Sequence, residues 1–65
     1  MANYKVEGTL VNGAPFKVDT KDQPDNITDF MNKMLKADWN TYMNSDGSVT
    51  AIHMPLVSSI IVTKI

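Results

Sequence analysis

His53 is the one side chain in this sequence that titrates near neutrality without help, so acid–base chemistry would have to start there. It lies in DWNTYMNSDGSVTAIHM, which reads as a β-hairpin around Asp46-Gly47. A two-residue loop there sets His53 across from Asn40, with Tyr42 on the diagonal. Such a trio could donate, accept and orient protons. No nucleophile accompanies it: the chain has no cysteine, and no serine stands in a recognisable nucleophile motif. A hydrogen-bonding histidine on a sheet or at an interface accounts for the same residues. The expectation is that the protein is not an enzyme.

Three other groupings invite chemistry and fall short of it. DTKDQPDNITD brings Asp19, Asp22, Asp25 and Asp29 close together, but a calcium loop needs ligands at alternate positions, a glycine for the turn and a closing glutamate. The stretch has three-residue spacing, so it reads as a solvated loop leading into a helix. Trp39 and Tyr42, with lysines nearby, could stack on bases, yet alternation along a strand sends them to opposite faces. VNGAPF leads into a strand and opens no helix, which excludes a phosphate cradle.

Composition narrows the field further. The net charge is −1 and all six basic residues are lysines, at 5, 17, 21, 33, 36 and 64. There is neither a long-range field to attract nucleic acid or anionic membrane nor an arginine fork to read phosphate or guanine. Without cysteine, and with a single histidine, no disulfide, zinc finger or compact histidine cage is available within the chain. No cofactor or metal is expected. The opening MANYKVEGTLV has no basic run before an apolar core, and no apolar stretch reaches membrane-spanning length. These features predict a soluble, cytoplasmic protein with no membrane partner.

The elements that position these residues follow from periodicity. In YKVEGTLVNGAPFKVD, a two-residue Asn12-Gly13 loop would oppose polar and apolar residues repeatedly. A three-residue loop, Val11-Asn12-Gly13, pairs Gly8 with Phe16 and Val6 with Val18, and sets Glu7 against Lys17 and Lys5 against Asp19. The second register is the one predicted, with Gly13 in the left-handed position of a type I turn plus bulge. Ile27, Phe30, Met31, Met34 and Leu35 form one apolar helical stripe, with Asn26 as N-cap and Lys33 and Lys36 near the negative end of the helix dipole. In the second hairpin, the two-residue loop assigns Trp39, Met43, Ile52 and Met54 to the core face. Asn40, Tyr42, Val49, Ala51 and His53 take the outer one. Pro55 ends that strand and a fifth runs from about Val57 to Lys64. The order ββαβββ predicts a single α+β domain over residues 1–65: an antiparallel sheet of about five strands with one helix on one face.

A sheet covered on one side should alternate apolar and polar residues. The C-terminal VSSIIVTKI breaks this rule, with large apolar residues at both parities. Either the sheet curls into a small barrel, or Tyr42, Val49, His53, Val57, Ile60, Ile61 and Ile65 contribute to an interface, and the two arrangements can coexist. A chain of 65 residues buries only about 60% of its unfolded surface, and small domains commonly compensate by self-association. The five methionines specify a rigid small core poorly. The predicted function is a non-enzymatic interaction module acting as a homodimer or higher symmetric oligomer, with a protein target as a further candidate partner. The alternatives are a barrel-like nucleic-acid-binding regulator, and a ligand-sequestering protein or enzyme with its site at a subunit seam near His53 and Tyr42.

Overall fold

The computed structural model describes residues 1–44 and 46–65. Its elements are β1 (Ala2–Leu10), β2 (Pro15–Gln23), α1 (Ile27–Lys36), β3 (Trp39–Met43), β4 (Val49–His53), a 3-10 turn at Met54–Leu56, and β5 (Val57–Lys64). This is the predicted ββαβββ order and α+β class. The strands do not form one sheet, however. An antiparallel three-stranded sheet has the order β2-β1-β5, and β3 and β4 pair only with each other. Among the described residues no ladder joins the two sheets, and neither closes into a barrel.

The first hairpin has the predicted register, with Gly8 opposite Phe16, Val6 opposite Val18, Glu7 opposite Lys17 and Lys5 opposite Asp19. Its loop closes through the Leu10 amide on the Ala14 carbonyl at 2.8 Å and the Gly13 amide on the Leu10 carbonyl at 2.9 Å. Gly13 takes φ +89°, a conformation that glycine adopts without steric cost. The Phe16 ring lies over Gly8 so closely that a Cβ there would sit 2.5 Å from it and 2.6 Å from the Ser59 carbonyl oxygen. Gly8 is what lets both neighbouring strands approach β1.

The second hairpin differs from its predicted register by one residue. Trp39 pairs with His53, Asn40 with Ile52, Tyr42 with Thr50 and Met43 with Val49. Its loop repeats the closure of the first: the Asn44 amide reaches the Ser48 carbonyl at 2.7 Å, the Gly47 amide reaches the Asn44 carbonyl at 3.1 Å, and Gly47 also takes φ +89°. A slip of one position reverses the faces of one strand relative to the other, and here the reversed strand is β3. Tyr42 points into the core while Trp39 and Met43 point out, whereas on β4 Ile52 is buried and Val49 outward as predicted.

The core collects Tyr4, Val6, Val18, Phe30, Met34, Tyr42 and Ile52. Tyr4 stacks on Phe30 with ring centroids 4.5 Å apart and planes 3° from parallel, and its hydroxyl donates to the Pro24 carbonyl just before the helix. Helix α1 starts where the Asn26 side chain accepts from the amides of Thr28 and Asp29, at 2.9 and 3.2 Å. Its far end is tied down by Asn40, whose side-chain amide donates to the Met34 carbonyl at 2.9 Å. No helix among the described residues is long and apolar enough to cross a membrane.

Candidate interaction surface

The residues expected to form an interface are distributed over three environments. Tyr42 is only 8% exposed and belongs to the core, a correction that follows directly from the shifted register of β3 and β4. Burial pushes its phenol pKa above the ordinary tyrosine value. Val57 and Ile60 are half-buried and pack against the core from β5. Val49, Ile61 and Ile65 face outward at 60%, 68% and 72% exposure. His53 is half-buried, on the outward side of β4.

The proposed trio of His53, Asn40 and Tyr42 is not assembled. His53 lies opposite Trp39 and stacks on its indole, with centroids 4.4 Å apart and planes 13° from parallel. Asn40 and Tyr42 point the other way. Trp39, assigned to the core by the two-residue loop, is 60% exposed, and Met43 beside Val49 is 72% exposed. One outer patch is thus Trp39, His53, Met43 and Val49, an aromatic–aliphatic strip on the small sheet.

The acidic stretch is likewise dispersed into structural roles. Asp19 stands opposite Lys5 in the β1–β2 register, where the Lys5 ammonium lies 3.3 Å from Glu7. Asp29 sits in the first turn of α1, and Asp25 forms a 2.8 Å ion pair with the N-terminal ammonium. That hydrogen bond and charge hold the Asp25 carboxyl below the usual aspartate range. Among the described residues, no three His, Asp or Glu side chains converge closely enough to hold a metal ion.

The C-terminal strand resolves by parity. Val6 faces Val62 and Gly8 faces Ile60, so Ile60 and Val62 share the core side with Val6; Ile61, opposite Glu7, points outward. The ladder also fixes which amides β5 leaves unpaired. In an antiparallel pair, alternate residues bond to the neighbouring strand and the intervening ones point away. The Ile65 amide donates to the Asn3 carbonyl at 2.9 Å, so from Ser59 onward the odd-numbered residues of β5 bond to β1. The amides and carbonyls of Ile60 and Val62 face the opposite edge. Among the described residues β5 pairs with no strand other than β1. Beside this edge, Leu35 and Ala37 at the end of α1, Met54 and Pro55 line an open groove of about 330 Å³, with Asp38 also contributing.

Sequence reasoning missed both the outward Trp39–His53 stack and the free edge of β5. A signal for the first was present: SDG and VNG share glycine at the third place of a possible three-residue loop, and the register test that decided the first hairpin applies equally to the second. The free edge depends on which strand lies beside which, and that is set by contacts remote in sequence. Comparison with known proteins gives no match, whether to a family model, a curated protein or a solved structure.

Proposed function

We propose that this chain is a small interaction module without catalytic machinery, which works as a homo-oligomer and acts by binding, inhibiting or scaffolding. The observation that carries this reading is the outward display of Trp39, Met43, Val49, Ile61 and Ile65, each at least 60% exposed. Full burial of one such side chain is worth about 1.5–3 kcal/mol, so leaving several in water forgoes a large share of the stability a small domain can muster. An open or loosely packed chain would be a trivial cause. The accessible surface is 4337 Å², close to the roughly 4,100 Å² typical of a folded monomer of 7.2 kDa. The apolar display belongs to a normally compact fold, and exposed apolar patches of this kind mark association surfaces.

The test is molecular mass across a dilution series, by sedimentation equilibrium from about 1 µM to 1 mM, the range in which small interfaces dissociate. The expected result is a mass that rises from monomer to a defined closed oligomer. A stable folded monomer at every concentration overturns the reading.

A further inference from the structure

We infer that β5 pairs antiparallel with β5 of a second copy about a two-fold axis at Ile61, joining the two three-stranded sheets into one continuous sheet. This rests on the self-association proposed above and names its surface. An edge strand presents unpaired amides and carbonyls that template another strand. Antiparallel pairing of identical edges is the arrangement that a two-fold axis produces, and it closes as a dimer.

The register follows from two constraints. Past the bulge at Ser58, the even-numbered residues of β5 turn their amides and carbonyls to the free edge, so the new ladder must bond even residues to even residues. Three centres satisfy this near the middle of the strand. Centring on Ile60 sets Ile61 against Ser59 and Val62 against Ser58. Centring on Val62 sets Ile60 against Lys64, an ammonium on the core side. Centring on Ile61 bonds Ile60 to Val62 of the second copy on the core side, brings Ile61 against Ile61 on the outer face, and sets Ser59 against Thr63. Apolar meets apolar and hydroxyl meets hydroxyl at every central position.

Charge agrees with this choice. The outer row through the axis runs Lys17, Glu7, Ile61, then the same residues reversed in the second copy. The two glutamates are thus separated by both isoleucines, and each has a lysine on its other side. Lys64, the one charged residue of β5, lies at the end of the strand, where its ammonium donates to the Asp25 carbonyl of its own chain at 3.0 Å and leaves the centre of the seam uncharged. A seam of one short strand is a small interface, so the dimer forms in the micromolar range.

Because the chain has no cysteine, single-cysteine variants test the register cleanly. Residues facing each other in a non-bonded antiparallel pair lie about 4.5 Å apart at Cα, within disulfide reach. Under mild oxidation at about 0.5 mM, far above a micromolar Kd, Ile61→Cys should become covalent dimer at least tenfold faster than Ser59→Cys or Thr63→Cys. Mixing the latter two should give the mixed disulfide in preference to either self-linked species. If Ile61→Cys links no faster than the others, or Ser59→Cys links to itself preferentially, this register is wrong. If sedimentation at the same concentration still gives a dimer, the error lies in the seam alone. A monomer there overturns the seam and the self-association reading together.

Discussion

The two edges of the three-stranded sheet flank the same central strand and are built differently. β2 begins at Pro15, carries Lys17, Asp19 and Lys21 on its outward row, and ends beside Asp22, which is turned to φ +58° where the register against β1 shifts. Charges, a proline and a local irregularity are the devices by which proteins keep an edge from pairing with another chain. β5 has its bulge at the start, where Ser58 folds back to donate to the Thr9 carbonyl at 3.0 Å. From Ser59 to Thr63 it then runs regular and uncharged, with Ile61 outward. β2 carries these devices, and β5 from Ser59 to Thr63 lacks them. In a chain with no disulfide to reinforce its small core, the difference locates where further burial would come from.

The comparison can be broken most forcefully at the strand both edges share. Gly8→Ala drives a Cβ into the Phe16 ring on β2 and the Ser59 carbonyl on β5. Overpacking of this kind costs about 1–3 kcal/mol, so urea unfolding should shift by that amount and association should weaken with it. Ile61→Lys acts on one edge alone. Two ammonium groups at the axis, with the lost apolar contact, should raise the dimer Kd about 100-fold, while stability of the exposed-site monomer changes by less than about 0.5 kcal/mol. Sedimentation and urea denaturation separate these effects.

Asn26→Ala sharpens the contrast from a site on neither edge. Loss of the N-cap should cost about 1 kcal/mol in denaturation and leave the Kd corrected for folding unchanged. Lys17→Ala, on the β2 edge, should alter stability by less than about 0.5 kcal/mol and should not change mass at the concentrations where wild type dissociates. The smallest effect concerns pH. Asp25, with its pKa depressed by the N-terminal ammonium, contributes stability above its unfolded pKa and loses it as pH falls through the lower folded value. Both partners are exposed, so Asp25→Asn should only slightly flatten the acid limb of a thermal-stability profile.

What could be read from the sequence depended on how local each decision was. The first hairpin was legible because two opposite-charge pairs and two apolar matches all selected the same loop. Helix α1 was legible from its stripe and from Asn26. In the second hairpin, Asp46-Gly47 suggested the commoner two-residue turn, and few cross-strand charges were present to reject it. The resulting slip exchanged Trp39 with Tyr42 between surface and core and dismantled the His53 trio. For β5 the alternation of Ile60, Ile61 and Val62 was visible, but only its pairing with Val6 and Gly8 decides which of them lie inward. The division into two sheets rests on strand neighbours distant in sequence, which periodicity does not encode.

Amide hydrogen exchange tests the open edge most directly. Among the described residues no ladder takes up the Ile60 and Val62 amides, which point away from β1, and those of Lys17 and Asp19 on β2 point away from β1 in the same way, since the Leu10–Ala14 bond assigns even residues to that ladder. At about 0.5 mM, far above a micromolar Kd, Ile60 and Val62 should be protected while Lys17 and Asp19 exchange freely, and Ile61→Lys should abolish the protection. Exchange of Ile60 and Val62 as fast as that of Lys17 and Asp19 in the concentrated wild-type protein would contradict the account.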